Sequence, residues 1–410
     1  MKSSFRLVPV LLASLALTAC PEKKVETPPK PAEPVKPAVP PTPPPVQEER
    51  ALKECAAPIE PGPESAVTIA GKPAKAAGYK LTFTEPAKDG KLVLGVLGPI
   101  NEDSGQNMLV MKKYLKFFSD EGVSAIVVTG DVGEVADGIA RVVKALADAK
   151  VPVLTLAGNR ECRAEYTDGV NQAKKDTGAV VNLSEFRAVE FPEATLISLP
   201  GYHDPNYINC ATGCRYFKST LDEVAKMGKE AKTPAVLVSH GPPRGTSKLA
   251  LDAATPGENV GDAEINRALQ AGGINFGLFS NIKEAGGRAT SDVAGTTLVA
   301  EKTASKTLYF AAGPADTVPW EMNDGVKNTG MVSVITIKGG EASFKNFRAG
   351  PLNAAEKAEA KKLDPPPRAE KTEEAAPAPA PAPAPAPGVP APAPDKGAAP
   401  PPGQPAPQGK

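Results

Sequence analysis

The sequence predicts an α/β body made of two mixed β-sheets packed face to face and flanked by helices, set between proline-rich ends. Three observations predict it. From residue 91 to 182, apolar strand-like runs alternate with amphipathic helical stretches at the pitch of βαβ units. From residue 187 the apolar runs crowd together, and after 277 they follow one another without helices, as antiparallel strands do. Finally, three buried-type runs stop abruptly and present polar residues: Gly130-Asp131, Gly158-Asn159-Arg160-Glu161 and His240-Gly241-Pro242. Ligand sites in parallel sheets lie beyond the carboxyl ends of the strands, so these three ends are expected to converge on one site.

The chain opens with an export signal. Residues 1–19 carry Lys2 and Arg6, then an apolar stretch over 7–17 too short to span a bilayer as a permanent helix. Leu17-Thr18-Ala19-Cys20 is similar to the lipobox of bacterial lipoproteins. That resemblance implies cleavage before Cys20 and acylation of its sulfur, which makes the membrane a partner; an ordinary signal peptide is the alternative. Pro21 is not the aspartate that retains lipoproteins at the inner membrane, so the expected localisation is the cell envelope, anchored in the outer membrane.

Residues 20–50 are dominated by proline, which favours extended polyproline II over a core. They read as a spacer on the order of 90 Å long at about 3.1 Å per residue. Residues 51–90 read as a small β extension, with apolar alternation over 67–70 and 79–83 forming a hairpin. The main domain, 91–350, begins with a strand over 91–97, a helix over 108–118 stopped by Gly122, a strand over 125–129 and a helix over 135–149. Strands over 151–157, 179–182, 187–191 and 194–199 follow, then a helix over 217–231, a strand over 235–239, a helix over 263–271 and a strand at 277–279. Strand-like runs at 297–300, 307–310, 331–337 and 342–347 close the domain, the last two joined by Lys338-Gly339-Gly340-Glu341, a hairpin signal. Residues 351–410 read as a tail: 354–375 is charged, with a helix as one reading of its start, and from 377 the chain is rich in Pro and Ala and reads as disordered. The proline-rich segments are candidate contacts for cell-wall or envelope proteins, with simple solubilisation as the alternative.

Lys plus Arg and Asp plus Glu both number 47, and no basic stripe is interleaved with aromatics, so no nucleic-acid partner is indicated. With Cys20 lipidated, Cys55, Cys162, Cys210 and Cys214 remain. An oxidising compartment favours two disulfides. Of the three pairings, Cys210–Cys214 with Cys55–Cys162 is expected, because only Ala-Thr-Gly separates the first pair. A Cys/His metal site competes poorly in a chain with two histidines.

In order, Gly130-Asp131, Gly158-Asn159-Arg160-Glu161, His240-Gly241-Pro242 and Ser280-Asn281-Ile282-Lys283 resemble the blocks of the calcineurin-like metallophosphoesterases. The resemblance covers about 91–348 and implies two sheets sandwiched between helices. It also implies hydrolysis by two divalent ions that activate a hydroxide and hold phosphoryl oxygens. Oxygen and imidazole donors suit Mn, Fe or Zn. By resemblance Asp131 would bridge the ions, with Asn159 and His240 as ligands of the second and Asn281 as a weak fourth ligand.

The sequence departs from the family pattern where it matters most. Gly98-Pro99-Ile100 stands where the family's first aspartate and histidine would be, and neither Gly98 nor Ile100 has a donor atom. Arg160 and Lys283 stand where imidazoles would be, and both are permanent cations at neutral pH. Lys283 is therefore expected to pair with Asp131 in place of the lost ion, and Arg160 to face an anion, which its fork suits; it does not deprotonate usefully as a general acid. Plainer roles stand beside these: Asp131 as a helix cap, Asn159 as a turn residue, His240 as a hydrogen-bonded structural histidine, His203 as a loop histidine and Trp320 as a packing anchor.

The reading is a membrane-anchored lipoprotein with a degenerate metallophosphoesterase-like domain, a binding or scaffold module for an anionic or phosphate-bearing ligand, without a resident metal. A mononuclear Mn, Fe or Zn phosphoesterase using Asp131, Asn159 and His240 is the alternative, and a purely structural envelope protein the third.

Overall fold

The computed structural model describes residues 45–255 and 257–368. The expected signal (1–19), Cys20, the linker to residue 44 and the tail from 369 lie outside the described residues. The chain divides into two compact units, 1–51 and 52–410. Of the first, the start of helix α1 (Pro45–Lys53) is described.

In the second unit the chain runs β1 (Glu64–Ile69), β2 (Lys72–Ala77), β3 (Lys80–Phe83), β4 (Leu92–Leu97), α2 (Gly105–Asp120), β5 (Ala125–Val128), α3 (Ala136–Ala147) and β6 (Val153–Thr155). Next come α4 (Arg163–Thr177), β7 (Val180–Asn182), β8 (Ala188–Glu190), β9 (Thr195–Leu199), α5 (Lys218–Glu230), β10 (Ala235–Ser239), β11 (Ala253–Ala254) and β12 (Glu258–Asn259). Then follow α6 (Ala263–Gly272), β13 (Phe276–Phe279), β14 (Arg288–Thr290), β15 (Leu298–Val299) and β16 (Leu308–Ala311). The described chain closes with β17 (Trp320–Glu321), β18 (Lys327–Asn328), β19 (Met331–Lys338), β20 (Glu341–Arg348) and α7 (Ala354–Lys361).

Two large mixed sheets form a sandwich. The six-stranded sheet has the order β20-β19-β4-β5-β6-β7, with β4 to β7 parallel. The ten-stranded sheet has the order β1-β2-β3-β8-β9-β10-β13-β16-β14-β15, with a parallel centre from β9 to β16. Leu94, Val127 and Leu154 of one sheet meet Leu196, Val238, Leu278 and Phe310 of the other in a shared core. On the outer face of the smaller sheet, Val128 and Val153 pack under α2, α3 and α4 through Phe118, Val142 and Val170. Ile197 and Leu237 of the larger sheet pack under α5 and α6 through Leu221, Val224, Ile265 and Leu269. Strands covered on both faces must be apolar throughout, which is why β4 and β10 read as unbroken apolar runs. Each such side chain contributes about 1.5–3 kcal/mol by leaving water.

The 51–90 β segment extends the large sheet: β3 pairs in parallel with β8, Leu81 against Val189. Two expectations need correction. The hairpin partner of residues 67–69 is β2, because Ala70 (φ 50°) and Gly71 (φ 77°) turn the chain in two residues. The folded body does not stop at 350. Asn353 and Glu356 form a capping box that starts α7, Leu352 and Ala360 are buried in the core beside α2, and Lys113 holds Glu356 at 2.7 Å.

The disulfides are Cys55–Cys214 and Cys162–Cys210, not the expected pairs. A turn closed by Gly213 N donating to Cys210 O sends Cys214 into the core and leaves Cys210 outside. Cys162, at the start of α4, bridges Gly213 through its backbone and so meets Cys210.

Candidate functional site

The strand ends do converge. Beyond β5 the chain turns through Gly130 (φ 102°) and Asp131 (φ 57°). Asp131 caps no helix; α3 starts later, with Val135 in the cap position. Its carbonyl accepts from Ile100 N at 2.9 Å and Asn101 N at 2.8 Å, and its Oδ1 accepts from the backbone N–H groups of Asn159 and Arg160, both at 3.1 Å. The approach needs glycine twice: a Cβ on Gly158 would lie 2.3 Å from Asp131 Oδ1, and one on Gly130 2.6 Å from His240 Nδ1.

His240, at the end of β10, is fully buried. Its Nδ1 lies 2.9 Å from Thr129 O, and its Nε2 lies 2.8 Å from Asn159 Oδ1 and 3.4 Å from Asp131 Oδ1. The Asn159 amide is oriented by Nδ2, which donates to Tyr207 O at 2.5 Å, so Oδ1 must accept. Both ring nitrogens therefore face acceptors, which favours the imidazolium. Burial opposes that charge, but the Asp131 carboxylate outweighs it and holds the His240 pKa above its usual value. For Asp131 burial acts upward, and His240 and the Arg160 N–H overcome it to hold the carboxyl low. The plainer role expected of His240, a hydrogen-bonded buried histidine, and its place beside Asp131 and Asn159 are thus one arrangement.

Two partners of this group went unread in the sequence. Glu161 is fully buried, its Oε1 accepting from Val132 N at 2.6 Å and its Oε2 from Gly158 N at 2.9 Å. Burial first, then the charge of Asp131, pushes its carboxyl up to about 8. Its adjacency to Asn159 and Arg160 was the available signal. Ser280 donates to Thr129 O at 3.0 Å and lies 3.2 Å from His240 Nδ1.

The expected Lys283–Asp131 pair does not form. Lys283 Nζ lies 3.8 Å from Asp316 Oδ2 and 4.8 Å over the Trp320 ring, because the loop after β13 carries it toward the loop after β16. Trp320 thus meets a cation. Arg160 pairs with Glu134, and Asn281 gives its side chain to the Tyr202 hydroxyl. His203 packs tilted against Tyr202, with ring centroids 4.5 Å apart. Arg160, Lys283, Asp316 and Glu134 line a cleft of about 470 Å³ together with Asp103 and Arg368. No sequence signal pointed to Arg368, which lies in what read as a tail.

Asn159 Oδ1 and Asp131 Oδ1 both face His240 Nε2, at 2.8 and 3.4 Å, so these three are the donors that a divalent ion could use, and an ion there would replace the Nε2 proton, with Thr129 O orienting the ring. The positions where the resemblance would place the other ion's ligands hold no donor. A Cβ on Gly98 would lie 2.4 Å from Gly313 O, leaving no room for an aspartate, and Ile100 is buried against α2 in the core.

No family model and no curated protein matches the chain. Its fold is similar to that of a dimetal phosphatase from Danio rerio (12% identity, 63% of this chain and 97% of that one, TM-score 0.39). It is also similar to TT1561 of Thermus thermophilus (11%, 63% and 99%, TM-score 0.41) and to an archaeal phosphodiesterase (11%, 63% and 99%, TM-score 0.31). These are likenesses of chain path alone.

Proposed function

We propose that this chain is a lipid-anchored envelope protein whose metallophosphoesterase-like body is a non-catalytic binding or scaffold module. The observation that carries the reading is at Gly98, where the Gly313 carbonyl fills the space an aspartate ligand would need. With Ile100 in the core and Lys283 drawn to Asp316, a second ion has no donors of its own among the described residues. Two-ion activation of a hydroxide then has no basis, and Arg160 cannot supply a proton to a leaving group. The anchor on Cys20, the outer-membrane location and contacts through the proline-rich ends belong to the same proposal and rest on the sequence.

The second reading, a mononuclear phosphoesterase, is favoured by one feature: Thr129 O orients His240 so that Nε2 faces Asn159 and Asp131. A bound ion would supply Lewis-acid polarisation of a phosphoryl oxygen, and Asp131, Asn159 and His240 would hold it. Calorimetric titration of the chain with Mn²⁺, paired with a bis(p-nitrophenyl) phosphate assay, separates the two. No turnover above the metal-only background is expected. Turnover that saturates with Mn²⁺ and vanishes in His240→Ala would replace the binding reading with the enzyme.

A further inference from the structure

The cleft beside the Asp131–His240 group holds three cations and four carboxylates. Arg160, Lys283 and Arg368 line it with Glu102, Asp103, Glu134 and Asp316. A plain anion site would hold its cations free, and here each cation already has a carboxylate: Arg160 has Glu134, Lys283 has Asp316 and Arg368 has Asp103.

The pairs are not equally satisfied. Asp103 is fully answered. Arg368 grips both its oxygens, at 2.9 and 2.7 Å, and Arg141 adds a contact at 3.2 Å. Asp316 is not. It is 1% exposed, and among the described residues its one cation stands 3.8 Å away and is shared with the Trp320 ring, while its closer donors are neutral, the Asn101 amide to Oδ2 and Val318 N to Oδ1. Burial accordingly holds its carboxyl above the ordinary value, with Lys283 offsetting only part. Arg160 is left short in the opposite sense. Its Nε is buried and meets no acceptor among the described residues, and its Glu134 partner is 55% exposed and so weakly held. One wall of the cleft thus holds a buried carboxylate whose close donors are all neutral, with its cation 3.8 Å away, and another holds a guanidinium whose Nε meets no acceptor among the described residues. A buried carboxylate without a close cation, opposite a guanidinium with a free donor, is what a ligand carrying both charges relieves on binding.

We propose that this cleft binds a small zwitterion, its ammonium against Asp316 and its oxyanion against Arg160. Simple phosphate is a poor fit, since the carboxylates lining the cleft outnumber its cations. Two sources share the required chemistry, a peptide or amino-acid terminus and a phosphoethanolamine group. The inference deepens the proposed binding role and rests on it.

The test titrates the full chain, by calorimetry, with L-alanyl-L-alanine, O-phosphoethanolamine, inorganic phosphate and ethanolamine. One of the two zwitterions is expected to bind saturably, and its identity names the source. Asp316→Asn and Arg160→Ala should each weaken that binding by about tenfold or more, the cost of losing a charged hydrogen bond. Phosphate and ethanolamine should compete at least about tenfold less well. Phosphate binding as tightly as phosphoethanolamine, affinity indifferent to both substitutions, or no saturable binding by any probe overturns the proposal. Arg160 is on the surface, so Arg160→Ala carries the test should Asp316→Asn fail to fold. Metal-dependent turnover would refute the non-catalytic reading while leaving this binding readout intact, so the two fail separately.

Discussion

His240 Nε2 lies 2.8 Å from Asn159 Oδ1, and the opposite ring nitrogen is held by Thr129 O. The ring is the hub through which three strand ends are tied. Removing one member of a buried charged pair leaves the other uncompensated. His240→Ala should therefore lower unfolding free energy by about 3 kcal/mol in urea titration. A loss under about 1 kcal/mol would mean that Asp131 finds other partners.

The closeness of Gly158 to Asp131 gives a steric prediction. A methyl there would sit 2.3 Å from Oδ1 and 2.7 Å from the Asp131 backbone nitrogen. Gly158→Ala should cost about 2 kcal/mol or more, seen as a lowered melting temperature, since backbone cannot yield as a flexible side chain would.

Glu161 gives a pH dependence. Its folded pKa, about 8, is raised above the unfolded value near 4.5, so the folded state binds a proton that the unfolded state releases. That stabilisation is complete below the unfolded pKa and is lost as pH rises through the folded one. Denaturation at a series of pH values should show stability falling between about 4.5 and about 8, with a limiting slope of about 1.4 kcal/mol per pH unit, then levelling. In Glu161→Gln this component of the slope should disappear.

The segment after β20 is structural. A chain ending at 350 loses the burial of Leu352 and Ala360, the Lys113–Glu356 pair and the Arg368–Asp103 contact. It should be less stable by about 2–3 kcal/mol, while one ending at 368 should stay within about 0.5 kcal/mol of the full chain. Thermal unfolding of the two truncations checks this.

Most of the sandwich was legible because strands buried on both faces and helices with a regular apolar stripe write a clear period. α4 was not read from the sequence: its buried positions Tyr166, Gly169, Val170 and Ala173 form a thin stripe in a polar sequence, although Gly178, left-handed at φ 63°, marks its end. The site was legible as strand ends, so Asp131, Asn159 and His240 were found together. What Lys283 would touch was not, since that depends on the loop after β16 bringing Asp316 and Trp320 close. Arg368 was hidden for a related reason, because its partner Asp103 lies 265 residues away.

The cysteine pairing bears on how the protein matures. Cys210 and Cys214 are four residues apart, so their thiols meet sooner than any others, yet the native bonds span 48 and 159 residues. Were the 210–214 bond to form first in an oxidising compartment, it would occupy a cysteine from each native pair, and neither native bridge could close until another thiolate attacked and exchanged it. Yield of the mature protein would then depend on disulfide isomerisation as well as oxidation, and cells able to oxidise but not reshuffle would accumulate the short-looped form.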